Sequence, residues 1–130
     1  MARAPKMKSK WSILIVDDEI GVRESLRMIL KSHYEIYTAA GGEESLNIIK
    51  ERKIDLITLD LNMPKLSGIE TLREIRKIDG EVPVIIITGY GTPKDEKEAL
   101  LYGARAFISK PFSISKIITV IDGILGERME

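Results

Sequence analysis

At 130 residues the chain has the length of one compact domain, and 44% hydrophobic content is enough for a single core. Lys and Arg total 20 and Asp and Glu total 20, which removes the net field that draws a protein to nucleic acid or anionic lipid. The absence of cysteine excludes disulfide frameworks, thiol nucleophiles and thiolate zinc sites together, and fits a reducing compartment such as the cytoplasm.

Residues 1–10 carry Arg3, Lys6, Lys8 and Lys10 with no apolar run behind them, so they read as a basic leader and not as a signal peptide. No later stretch is long enough to span a membrane. The domain proper is expected over 11–126, with 127–130 as a short tail. Within it, short β-branched runs alternate with segments of helical period. Ile13–Val16, Leu56–Leu59 and Val84–Thr88 are continuous apolar runs, the pattern of strands covered on both faces. Tyr34–Thr38 and Ala106–Ser109 are shorter and weaker strand candidates. Val22, Leu26, Ile29 and Leu30 share one face of a first helix; Leu46 with Ile49 mark a second, and Ile69, Leu72 and Ile75 a third. Lys94–Tyr102 is a fourth, polar and lightly apolar, and Ser113 is the expected N-cap of a fifth running to about Leu125. Five βα units with right-handed crossovers predict an α/β fold: a doubly wound, flavodoxin-like (βα)5 sandwich with a parallel sheet of order 2-1-3-4-5.

The acids fall where such a sheet binds its ligands. Asp17 and Asp18 follow the first strand and Asp60 follows the third, and in this strand order those strands are neighbours at the topological switch point. Like charges so crowded need a cation, and hard oxygen ligands with room for water suit Mg²⁺. Capping of the first helix is the other reading of Asp17, Asp18 and Glu19, because the helix dipole favours acids there. It does not account for Asp60, which precedes a loop. Lys110 follows the fifth strand and sets one ammonium against the acids, and Thr88 ends the fourth strand with a hydroxyl at the same edge. Gly89 behind it leaves the approach open.

These residues resemble the receiver family of bacterial two-component response regulators, in the manner of the chemotaxis regulators. The matching motifs are Val16-Asp17-Asp18-Glu19, Leu59-Asp60-Leu61-Asn62-Met63-Pro64, Thr88-Gly89 and Lys110-Pro111-Phe112, whose order spans nearly the whole chain after residue 11. The resemblance implies that Asp60 is the phosphoacceptor, with Mg²⁺ held by Asp17, Asp18, Asp60 and the backbone carbonyl of Asn62. Lys110 then contacts the phosphoryl group, and Thr88 hydrogen-bonds to it after activation. Phe107 is the switch aromatic that turns inward, against the plainer reading of a core aromatic. A cis Lys110–Pro111 bond aims the lysine, against the plainer reading of a trans turn. Asn62 and Tyr90 overhang the path of attacking water and tune the lifetime of the acyl phosphate. The donor is a phosphohistidine on a histidine kinase or histidine phosphotransfer domain, docking near Val22, Ser25, Pro111 and Phe112. His33, the one histidine of the chain, is expected to be an ordinary surface residue.

On the fifth helix, Ile114, Ile117, Ile118, Ile121 and Leu125 form a broad apolar face, with Val120 and Ile124 widening it. Either that width is all buried, or Val120 and Ile124 join the fourth helix and fifth strand in a surface for a homodimer, an output domain or another protein. The chain is expected to be a signalling switch, free-standing or part of a longer regulator, without direct nucleic-acid or membrane contact. Two rivals share parts of the pattern. A flavodoxin-like cofactor binder needs a hydroxyl- or glycine-rich phosphate cradle where Asp17, Asp18 and Glu19 stand. A phosphotransferase working through an aspartyl intermediate usually has a second acid two residues after its nucleophile, where this chain has Asn62.

Overall fold

Five strands, β1 (Trp11–Val16), β2 (Tyr34–Ala39), β3 (Leu56–Leu59), β4 (Val84–Thr88) and β5 (Ala106–Ser109), pair in parallel in the order β2-β1-β3-β4-β5. Five helices alternate with them: α1 (Ile20–Leu30), α2 (Gly42–Glu51), α3 (Gly68–Ile78), α4 (Pro93–Leu101) and α5 (Ile114–Arg128). The computed structural model describes residues 10–128. The basic residues Arg3, Lys6 and Lys8 of the expected leader therefore lie outside the described residues, as do residues 129 and 130 of the expected tail.

Alternation along the strands divides the core in two. Leu14 and Val16 of β1 join Ile57, Leu59, Leu72, Ile75 and Ala99 on the face covered by α2, α3 and α4. Ile13 and Ile15 join Leu26, Leu30, Ile117, Ile121 and Leu125 on the face covered by α1 and α5. Buried on both faces, β1, β3 and β4 are apolar but for Ser12, Thr58 and Thr88. β2 and β5 are the edges, only partly covered, and carry the weaker apolar signal for that reason.

Capping fixes where the helices begin. Ser67 and Thr92 each form a capping box, with Glu70 and Asp95, at the starts of α3 and α4. At α5, Ser113 Oγ accepts from the Lys116 amide at 3.0 Å, the expected N-cap bond. The helix continues past Leu125, and Glu127 pairs with Arg105, just before β5, at 2.6 Å. No helix among the described residues is long and apolar enough to cross a membrane.

The apolar face of α5 is placed differently from the sequence expectation. Ile124 is core, only 6% exposed, and Val120 packs partly buried against the same cluster. Ile114 and Ile118, expected to face the sheet, are exposed at 54% and 36%. A helix on a sheet buries a stripe of limited width, centred here on Ile117, Ile121 and the Ile124–Leu125 pair. The stripe is rotated towards Ile124, which takes that residue out of any free surface.

Arg76 ties the far ends of three elements together. Its half-buried guanidinium donates to Tyr102 O and Val82 O, both at 2.7 Å, and to Gly103 O at 3.3 Å. Gly103 makes this approach possible: its backbone is left-handed at φ 83, and a Cβ there would stand 3.3 Å from the guanidinium. The C-terminal end of α4 is thus fixed to α3. Replacing Arg76 by Met keeps the stem but strands these carbonyls, so unfolding in urea is expected to show a loss of about 2–3 kcal/mol, in the range of charged hydrogen bonds.

Candidate functional site

Strand register sets the site before any side chain does. Val16 stands level with both Ala39 and Leu59, so β1 and β3 end together. The next amides continue the ladder: Asp17 N donates to Ala39 O at 3.1 Å, Asp60 N to Val16 O at 3.0 Å, and Lys110 N to Thr88 O at 3.0 Å. Three charged side chains are thereby projected from backbone held by neighbouring strands. Behind them, Gly68 at the start of α3 lies against Asp60, where a Cβ would come within 2.4 Å of Asp60 O and of Leu61 Cα. Its amide donates to Leu61 O at 2.9 Å, which anchors the loop after β3.

One ammonium serves the whole cluster. Lys110 Nζ lies 2.8 Å from Asp17, 3.0 Å from Glu19 and 3.6 Å from Asp60. Asp17 and Asp60 are nearly inaccessible, at 2% and 4% exposure, whereas Asp18 is exposed. Oxygen atoms of Asp17, Asp18 and Asp60 all lie within 4.8 Å of one another, a spacing that one hard cation can bridge. The donor set is entirely carboxylate, which fits Mg²⁺ better than a softer metal.

The electrostatics follow from burial. Desolvation raises the Asp17 carboxyl above its ordinary value, with the charge of Asp60 adding to it, although Lys110 and the Glu19 amide pull the other way. Burial lowers the Lys110 ammonium, but the hydrogen bonds to Asp17 and Glu19 and the charges of Asp17 and Asp60 leave it above its ordinary value. An acid raised in this way supports the folded state fully below the unfolded value of 3.8 and loses that support as pH rises through the folded value. In its charged form the buried Asp17 carboxylate is a cost to the fold.

The other expected residues surround this centre. Thr88 is buried, and its Oγ1 accepts from Asn62 Nδ2 at 3.4 Å. Asn62 is exposed, with its amide 3.5 Å from Asp60 Oδ1. The Lys110–Pro111 peptide bond is cis. Tyr90 is 81% exposed and stands at the rim of a cleft of about 630 Å³ that also takes in Val22, Ser25, Pro111, Phe112 and Ile114. Phe107 is apart from the acids, half-buried beneath the loop after β4. His33 is exposed and meets Ser32 Oγ at 3.0 Å, away from the cluster.

Glu19 is the residue that local pattern does not reveal. It occupies the N-cap of α1 yet makes no side-chain cap bond, because its carboxylate reaches Lys110 instead. Asp17 Oδ1 accepts from the Glu19 amide at 2.9 Å and does the local turn-forming that capping would have done.

A model of the response regulator receiver domain matches residues 13–122. The chain belongs to the response regulator receiver domain family. Its sheet order and five helices are those of the fold's solved members: a CheY-like receiver domain protein from Methanospirillum hungatei superposes with a TM-score of 0.90 at 31% identity, over 93% of this chain and 98% of that one. CheY in a CheX-CheY-BeF3-Mg²⁺ complex from Borrelia burgdorferi gives 0.83 at 35% identity, over 88% of this chain and 89% of that one. Among curated proteins, a probable transcriptional regulator, ycf27, of Guillardia theta is 38% identical over 92% of this chain, and the cell cycle response regulator CtrA of Brucella ovis 33% identical over 87%. The chain spans about half the length of these two relatives. It is a receiver domain, so turnover of small phosphoesters is not favoured as its function.

Removing one of the two buried acids of this receiver domain should stabilise it. Asp60 has only distant partners of its own, so Asp60→Asn relieves repulsion with Asp17 at little cost. Urea unfolding in the presence of EDTA is expected to show a gain of about 1 kcal/mol. A loss would mean that the Asp60 charge is better compensated than its distances indicate.

Proposed function

We propose that this receiver domain takes a phosphoryl group onto Asp60 from a phosphohistidine on a histidine kinase or histidine phosphotransfer domain. The observation that carries the reading is a buried Asp60 carboxylate facing the Lys110 ammonium at 3.6 Å, with Asp17 and Asp18 close enough to share a cation. An Asp60 oxygen attacks phosphorus in line with the departing imidazole nitrogen. The P–N bond breaks as the acyl P–O bond forms, and the imidazole leaves with the electron pair and takes up a proton. Lys110 leaves its carboxylate partners to neutralise the transferred oxygens, and Thr88 donates its hydroxyl to one of them. Asp17, Asp18, Asp60 and the Asn62 carbonyl would hold Mg²⁺, which when bound offsets the acids and the incoming anionic group.

Phe107 is the switch aromatic of this reading, and Asn62 and Tyr90 tune the lifetime of the acyl phosphate. The apolar cleft between α1 and the loop at Pro111 and Phe112 suits the phosphodonor protein, since it opens directly beside Lys110. The α4–β5–α5 face suits a homodimer or an output domain, since Leu100 and Leu101 stand exposed on α4. The names of the longer relatives, regulators of transcription and of the cell cycle, favour an output domain that acts elsewhere in the protein. Balanced charge supports protein contact over direct nucleic-acid binding, and the lack of cysteine supports a cytoplasmic setting.

Incubation with Mg²⁺ and acetyl phosphate, followed by intact-mass measurement, is expected to show one labile phosphate per chain, absent in Asp60→Asn. Continuing release of inorganic phosphate at an enzymatic rate, or labelling that survives Asp60→Asn, would overturn the reading. For Tyr90→Ala, dephosphorylation after removal of the donor is expected to accelerate several-fold, about 1 kcal/mol of barrier. An unchanged rate removes Tyr90 from the lifetime-tuning role.

A further inference from the structure

Only three residues, Gly89 to Gly91, lie between the end of β4 and Thr92, the N-cap of α4, and the segment is held at both ends. Thr88 closes β4 against β5, and Thr92 is locked at the start of α4 by a reciprocal pair of bonds with Asp95, each at 3.1 Å. Gly91 is exposed to solvent, yet it faces the underside of the loop at very close range. A Cβ added there would come within 2.4 Å of Phe107 Cζ, 2.7 Å of Phe107 Cε1 and 3.0 Å of Thr88 Cγ2. No side chain fits beside the ring in this position.

The glycine is not there for its backbone. Left-handed φ values among the described residues occur only at Lys65 and Gly103. Gly91 therefore has a conformation open to other residues, and what matters is the volume it leaves free. With the loop pinned at Thr88 and Thr92, a side chain at position 91 cannot retreat. The atom that gives way is the far end of the Phe107 side chain, on the edge strand β5, where no further strand confines it.

We propose that Gly91 is a positioning residue: by having no side chain it provides the socket in which the Phe107 ring rests near Thr88. The size of residue 91 then sets the balance between ring-in and ring-out arrangements. In the ring-in arrangement described here, Thr88 directs its hydroxyl towards Asn62 in the loop after Asp60 and its methyl towards Gly91. A side chain at 91 evicts the ring and withdraws its support from that setting of Thr88. This link to phosphoryl binding rests on the proposed roles of Phe107 and Thr88, whereas the socket itself does not.

The two parts are tested by double-mutant cycles between Gly91→Ala and Phe107→Ala. In the cycle for the socket, Gly91→Ala is expected to raise the urea unfolding equilibrium constant about tenfold in the natural background, an ordinary overpacking effect, and less than about twofold once Phe107 is Ala. Equal losses in both backgrounds, or no loss in either, overturn the socket. As an independent reading, the chain has two phenylalanines, Phe107 and Phe112, so 4-fluorophenylalanine labelling gives two ¹⁹F signals, assigned by Phe107→Leu. Gly91→Ala is expected to displace the Phe107 signal more than that of Phe112, and the reverse order counts against eviction. The second cycle measures affinity for beryllofluoride at saturating Mg²⁺, with a loss of about tenfold expected for Gly91→Ala only when Phe107 is present. Coupling in stability without coupling in beryllofluoride affinity supports the socket and overturns the switch role of Phe107. Rescue by Phe107→Ala in both measurements supports the whole proposal.

Discussion

Asp17 and Asp60 are buried side by side at the ends of β1 and β3, and one ammonium is shared among them and Glu19. Most of what is particular to this molecule follows from that arrangement. Two carboxylates in a region of reduced solvation repel, and a single lysine cannot form an optimal pair with each. The sheet resists the tendency of the acids to separate: the amides of both are bonded into the ladder, and Gly68 lets α3 press directly on the backbone of Asp60. A softer scaffold would let the acids swing into water, and the site would lose the crowding that suits it to a cation.

Rigidity is not spread evenly around the site. β1 and β3 are central strands buried on both faces, while the remaining groups come from β4 and from the edge strand β5. At its C-terminal end α4 is held by Arg76 through Tyr102 and Gly103; at its N-terminal end it hangs on three loop residues that lie over Phe107. The acids and Thr88 stand on central strands, whereas Phe107 stands on the edge strand β5.

The fold was legible because burial on both faces leaves a mark in the chain. Leu56–Leu59 and Val84–Thr88 are almost wholly apolar and buried throughout, the pattern of central parallel strands, and an acid immediately after such a run, as Asp60 is, can be placed at one sheet edge from topology alone. The edge strands were fainter, since β2 and β5 keep one side partly wet. The rotation of α5 could not be read from its sequence: seven apolar residues surround more than half the helix, and which of them face the sheet depends on how the helix is set upon it. Glu19 and Gly91 were missed for a related reason. Each owes its role to a residue distant in sequence, Lys110 for the first and Phe107 for the second, and no local period or cap signal encodes that contact.

Charge and shape meet in β5 and the residues that follow it. Lys110, just past the strand, answers to three carboxylates, and Phe107, within it, answers to the space left by Gly91. Both are joined to β4: Ile86 pairs with Phe107, and the Lys110 amide bonds Thr88. If Asp60 is the phosphoacceptor, an entering anionic group would draw the lysine from at least one of its partners, and Thr88 would follow the new charge. The ring and Thr88 border the same small space, since a single point above Gly91 lies within close contact of both. Under that reading, coupling between the charged centre and the outer surface would need no long chain of intermediaries. It would need one hydroxyl residue that borders the acids on one side and an aromatic ring on the other, and a glycine small enough to let the ring in.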